Sequence, residues 1–178
     1  MSDTNELISF IASMSGEGNL RVEENLGEGF VRLRVSEAER RQAKHDIQHV
    51  EDIVIEMLRN ARDAGATRIY VATFREEGVR SLLFLDNGCG VPEDMRERIF
   101  DARVTSKLES MKMDRWGVHG RGMALFSIRQ NVDEVEVVAS GKDLGSSFKV
   151  LVNTNVLNER ADQSSWPIAS KDETGVYH

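Results

Sequence analysis

Three clusters in the chain place carboxylates, amides and glycines at spacings suited to handling a charged ligand. The first is Glu56, Asn60 and Asp63. On a helix turning about 100° per residue, Glu56 and Asn60 differ by about 40° and Asp63 falls on the same side. That side lies roughly opposite the apolar stripe Ile47–Val54–Leu58, as an ordinary solvated face would. The second cluster is Asp86-Asn87-Gly88-Cys89-Gly90, directly after the apolar run Leu82–Leu85. A carboxylate at a strand end can accept a hydrogen bond from an exocyclic amine such as that of adenine. Gly88 and Gly90 let the backbone turn sharply and approach a ligand; a tight Asn-Gly turn would use the same residues. The third is Gly117-Val118-His119-Gly120-Arg121-Gly122, leading into an apolar helical stretch. Glycines before a helix expose backbone N–H groups, and with the helix dipole these can hold a phosphate. The G-x-x-G-x-G spacing is not a dinucleotide fingerprint, and the absence of Gly-Lys-Ser/Thr excludes a Walker A loop.

The elements that must position these clusters are legible from periodicity. Ser36 and Glu39 match a capping box at the start of a long helical stretch. Its positions Ile47, Val50, Val54, Met57, Leu58 and Ala61 recur at helical spacing as far as Gly65. A helix of that length admits one break, which the pattern does not place. Strands are expected at Leu20–Val22 and Phe30–Val35, with a turn at Gly27 and Gly29 between them. Thr67–Phe74 and Val79–Leu85 read as a hairpin, and Val135–Ala139 and Ser147–Val152 as strands around a turn at Gly141–Gly145. Pro92–Phe100 reads as a short helix and Met123–Asn131 as another. Residues 101–122 have no clean period and read as one long functional loop. Near the N-terminus, Leu7, Ile11 and Met14 form a helical stripe closed by Gly16 and Gly18. It would pack on its own domain or reach a partner subunit.

Taken together, Glu56-x-x-x-Asn60-Ala61-x-Asp63-Ala64, Asp86-x-Gly88-x-Gly90 and Gly117-x-x-Gly120-x-Gly122, followed by Gly145-Ser146-Ser147-Phe148, resemble the GHKL ATPase superfamily. That group holds DNA gyrase B subunits, ninety-kilodalton heat-shock chaperones, sensor histidine kinases and MutL mismatch-repair proteins. The agreement in order, spacing and flanking elements runs over Asp46–Val152, about 107 of 178 residues. The resemblance implies a Bergerat-type ATP-binding fold. This is a two-layer α/β (α+β) sandwich with a mixed, mostly antiparallel sheet covered on one face by helices. Across the layer, Ile53, Val54, Met57 and Leu58 are expected to meet Leu83 and Leu85.

The resemblance also implies roles. An adenine nucleotide would lie between the layers, Asn60 would help bind the Mg²⁺ that bridges its phosphates, and Asp86 would take the adenine amine. Gly88 and Gly90 would let base and ribose lie against the backbone. Gly117, Gly120 and Gly122 would close over the triphosphate as a lid, and Asp63 and Met123 would join the nucleotide-binding set. Ser146 stands at the place of the family's usual Thr, keeping the hydroxyl and losing a methyl. Glu56 matches the general base of the hydrolytic members, and a carboxylate beside a metal-bound triphosphate is well placed to deprotonate water. Thr105-Ser106-Lys107 and Met123-Ala124-Leu125 look more like MutL and type II topoisomerases than like sensor kinases. Lys107 could reach a phosphate or be a solvated loop lysine. Arg121 could neutralise phosphate charge or be an exposed loop arginine, and His119 could touch phosphate or solvent. Cys89 reads as a small tolerated residue. His45 lies only 11 residues before Glu56, too close for a separate phospho-accepting module, so His45 and His49 read as ordinary helix residues.

Composition sets the remaining bounds. With 23 basic and 30 acidic side chains the formal charge is −7, so a fold-wide basic footprint for nucleic acid is absent and that partner is unsupported. Hydrophobic residues at 40% and charged residues at 30% describe a globular chain. A single cysteine forms no internal disulfide and fits a reducing compartment. With no apolar run long enough to span a bilayer and no basic n-region, cytoplasm is the expected location and a membrane is not an expected partner. The expected organisation is an arm or short helix over 1–18, the ATP-binding domain over 19–152 and a polar extension or linker start over 153–178. Only 26 residues follow Val152, too few for the second domain from which hydrolytic relatives donate a lysine. A homodimer or a partner protein would then complete the site, unless the chain is a fragment or hydrolysis is slow. Three readings follow: a Mg²⁺-dependent ATPase driving a conformational or dimerisation switch, a histidine or serine protein kinase-like regulator passing the terminal phosphate to a partner, and a non-hydrolysing ATP sensor.

Overall fold

The computed structural model describes residues 22–106, 113–114, 117–118, 122–160 and 174. The N-terminal stripe, Lys107, His119, Gly120, Arg121 and most of the polar C-terminal stretch lie outside them. Helix α1 (Glu37–Asp46) begins at the expected capping box: the Glu39 N–H donates to Ser36 Oγ at 3.2 Å, and the Ser36 N–H donates to Glu39 Oε2 at 2.8 Å. The chain leaves the helix at Ile47, which is extended and buried in the core, and re-enters at helix α2 (Val50–Asp63). This is the break the sequence could not place. Asp52 makes the restart, accepting from the Gln48 and His49 N–H groups at 3.0 and 2.9 Å.

Burial works against the Asp52 charge, but the Gln48 N–H, Arg160 and the His49 N–H outweigh it and hold the carboxyl below its ordinary value of 3.8. A carboxyl with a depressed folded pKa stabilises the fold above its unfolded pKa, and that stability is lost as pH falls through the folded value. Asp52→Asn should therefore be about 1 kcal/mol less stable than the parent at neutral pH. In denaturant melts the difference should vanish under strongly acidic conditions.

The main sheet has four strands in the order β3 (Ile69–Glu76), β4 (Val79–Asp86), β9 (Ser146–Asn153), β8 (Glu134–Ser140), and every neighbouring pair is antiparallel. Helices α1, α2 and α3 (Ala124–Asn131) make the second layer. Asn131 Nδ2 ties α3 to α1 by donating to the Ala43 carbonyl at 3.3 Å. The architecture is the expected α+β sandwich, with no parallel pair among the described strands. A second, three-stranded sheet was not foreseen: β1 (Val22–Gly27), β2 (Phe30–Leu33) and β5 (Val104–Thr105) pair in that order. Val104 and Thr105 are buried, so the stretch expected to be loop from residue 101 begins as a packed strand. Within it, β6 (Met113–Asp114) pairs with β7 (Gly117–Val118). The expected Pro92–Phe100 helix is two 3₁₀ turns, Glu93–Met95 and Arg98–Phe100.

The layers meet on a different register from the one expected. Leu82 and Phe84 point into the core at 1% and 3% exposure, whereas Leu83 and Leu85 are 36% and 40% exposed on the outer face. Side chains alternate along a strand, so a one-residue error exchanges the faces. The run Leu82–Leu85 is apolar throughout and gives no alternation to choose by. On α2 the buried stripe is Val50, Ile53, Met57 and Ala61, with Val54 packed beside it and Leu58 facing outward. The body also continues past the expected boundary at Val152. Thr154 and Leu157 are buried, and Glu159 accepts from Arg80 at 2.6 Å and from Arg75 at 3.2 Å. Among the described residues no helix is long and apolar enough to cross a membrane.

Candidate functional site

A cavity of about 470 Å³ opens between α2, the inner face of the main sheet and the start of α3. Glu56, Asn60, Asp63, Asp86, Gly90, Gly122, Met123 and Ser146 all line it. The corrected phase of α2 explains the first three. Relative to the buried Ile53, Asn60 is turned by only about 20°, Glu56 by about 60° and Asp63 by about 80°. They border the buried stripe rather than oppose it, so burying that stripe carries them under the cavity. Glu56 is paired with Arg59, one turn on and also in the cavity wall. Asp63 accepts from Arg62 at 2.9 Å. Asn60 Nδ2 is buried without a hydrogen-bond partner among the described residues, and a buried amide donor left unpaired costs about 1–3 kcal/mol. A ligand acceptor in the cavity would satisfy it.

Asp86 and Ser146 face each other across β4 and β9 at the cavity end of the sheet. Asp86 Oδ1 accepts from the Gly88 N–H at 2.8 Å, which fixes the carboxylate. Ser146 Oγ lies 3.3 Å from Ser140 Oγ, which itself accepts from the Val91 N–H at 2.7 Å. Asn87 is a staple: its Oδ1 accepts from the Thr67 and Arg68 N–H groups at 2.9 and 2.8 Å, tying the end of β4 to the link from α2.

The glycines meet an internal need first. A Cβ on Gly90, whose φ is +73°, would stand 1.9 Å from the Gly141 carbonyl oxygen, and one on Gly122 would stand 2.4 Å from that of Val104. The space beside them is filled by the chain's own backbone. Gly90→Ala should therefore cost about 1–2 kcal/mol of stability in chemical denaturation, before any effect on a ligand. Gly88 is buried against Ala64, and Gly117 falls in β7.

Some wall residues were given no role from the sequence. Arg59 was visible only as a cation three residues after Glu56, on the same helix face. Thr105 became a wall residue through β5, whose pairing no local pattern announces. Cys89 is exposed at the rim. His49 precedes α2, with Nδ1 3.7 Å from Asp52, and His45 is exposed on α1.

Known proteins similar to this chain fall in one family. Residues 47–174 match the model of the histidine kinase-, DNA gyrase B- and HSP90-like ATPases. The DNA mismatch repair protein MutL of Chlorobium phaeobacteroides (strain BS1) is 33% identical over 123 residues, 68% of this chain and 19% of that protein. MutL of Thermodesulfovibrio yellowstonii is 30% identical over 131 residues, 72% of this chain and 23% of the relative. The chain thus spans about a fifth of the length of these relatives. Among solved structures, the catalytic domain of histidine kinase ThkA is similar with a TM-score of 0.40 and 17% identity, covering 84% of this chain and 92% of the other. Through the match over residues 47–174, the chain belongs to the family of histidine kinase-, DNA gyrase B- and HSP90-like ATPases.

Proposed function

We propose that this chain binds ATP with Mg²⁺ in the cavity beneath α2 and hydrolyses it, the cycle driving a conformational or dimerisation change. The observation that carries this reading is the buried, unpartnered Asn60 amide in a wall shared with Glu56 and Asp86. Asp86, its carboxylate fixed by the Gly88 N–H, would accept from the adenine amine. Ser146 would add a hydroxyl beside it, and Asp63 and Met123 complete the wall. Asn60 would offer Mg²⁺ its amide oxygen, a hard donor suited to that ion, while its unpaired Nδ2 would donate to a phosphate oxygen. When bound, that ion would supply charge neutralisation at the phosphates. Glu56 would hold and deprotonate the attacking water. Lys107, His119, Gly120 and Arg121 are proposed, with Gly117 and Gly122, as the lid over the phosphates.

Glu56 pairs with Arg59. That pair must open before the carboxylate can reach a water, which favours slow turnover or, at the limit, the sensor reading. Measuring phosphate released from ATP with and without Mg²⁺, beside transfer of labelled phosphate to protein, separates the readings. Mg²⁺-dependent release with no labelled protein is expected. Label transfer without release would indicate a kinase, and neither would indicate a sensor.

A further inference from the structure

The main sheet has two edges, and they are guarded differently. Edge strand β8 carries Glu134 and Glu136, both within 3.5 Å of Lys149, and a register shift between Val137 and Ala139. Charges and bulges of this kind keep an edge from pairing with another chain. Edge strand β3 has no such shift, and its two charges, Arg75 and Glu76, stand together at its far end. Its register with β4 is unbroken over all eight residues, its first charged position is Arg75, and it is exposed from Tyr70 to Glu76. Tyr70 and Phe74 are 64% and 62% exposed on the outer face.

We propose that β3 is a self-pairing edge: two copies of this chain join β3 to β3 in antiparallel fashion, making one continuous eight-stranded sheet. The pairing follows from the order of side chains. With Ala72 on a two-fold axis normal to the sheet, Tyr70 lies opposite Phe74 of the second copy and Arg68 lies opposite its Glu76. Each contact occurs twice. An aromatic pair and an opposite-charge pair are the cross-strand combinations that stabilise a sheet. No partner for either the Arg68 or the Glu76 side chain is found among the described residues. The backbone is phased to match. The Asn87 N–H donates to the Arg68 carbonyl at 3.3 Å, so even-numbered residues of β3 turn their peptide groups toward β4. Those of Val71 and Thr73 then face away, and in this register Val71 pairs with Thr73 of the second copy. Ala72 falls at a non-hydrogen-bonded position, where opposed Cα atoms approach to about 4.5 Å. Of β3 only Ile69 lines the cavity, and the self-pairing residues Tyr70–Glu76 do not, so the pairing does not depend on nucleotide.

The test uses the full chain. Sedimentation should show a dimer without nucleotide, and Glu76→Arg should weaken it about tenfold by placing like charges opposite each other twice. Arg68→Glu combined with Glu76→Arg should restore it. In a Cys89→Ser background, Ala72→Cys should form an intermolecular disulfide under mild oxidation, since the facing Cα separation fits one. A parent that stays monomeric up to its solubility limit overturns the proposal. So does a dimer that is indifferent to Glu76→Arg and in which the residue 72 thiols do not link.

Discussion

Glu56→Gln should lower ATP turnover by about 10²-fold or more, while nucleotide affinity stays within twofold of the parent. Gln keeps the shape and the acceptor oxygen but cannot take a proton from water. The structure adds a reason to expect retained folding. Glu56 is half-buried and its partner Arg59 is one turn along the same helix, so Gln can still accept from that guanidinium. Loss of an i, i+3 ion pair costs only a few tenths of a kcal/mol. Phosphate release and calorimetric affinity on parent and variant check this directly. Equal turnover in the two would remove Glu56 from the base role and leave a kinase or a passive sensor.

Asp86→Asn should weaken ATP binding about ten- to a hundredfold with little change in fold stability, the equivalent of about 1–3 kcal/mol for a buried recognition bond turned against its partner. The Gly88 N–H decides the direction. It already donates to one carboxylate oxygen at 2.8 Å, so in the variant it selects the amide oxygen and turns the NH₂ toward the adenine amine. Two donors then face each other. Unchanged affinity, measured by titration, would sink the adenine assignment.

The residues now in the cavity wall were readable because their signals are short-range. Glu56, Asn60 and Asp63 sit on one helix at fixed angles, and Asp86 and Ser146 sit at strand ends marked by glycines. The errors came where the signal needed long-range knowledge. Leu82–Leu85 is apolar at every position, so its inward pair could be chosen only by the facing layer, which took Leu82 and Phe84. The helix phase had the same fault: a stripe through Val54 and Leu58 and one through Ile53 and Met57 are both apolar, and packing chose the second. The break at Ile47 is set by tertiary burial of that side chain and by Asp52 accepting from the preceding backbone, not by a glycine or proline. Val104–Thr105 is a strand because β2 is beside it. Gly90 and Gly122 were noticed for ligand reasons, yet their closest neighbours are the chain's own carbonyls.

Whether the cavity beneath α2 is a Mg²⁺-dependent adenine-nucleotide site is decided by a calorimetric titration of the full chain with a non-hydrolysable ATP analogue. The account predicts saturable binding of one nucleotide per chain in Mg²⁺, markedly weaker when the metal is chelated and weaker again for the guanine analogue, whose six-position carbonyl offers Asp86 no donor. No saturable heat in Mg²⁺, or equal affinity for adenine and guanine analogues, would contradict it.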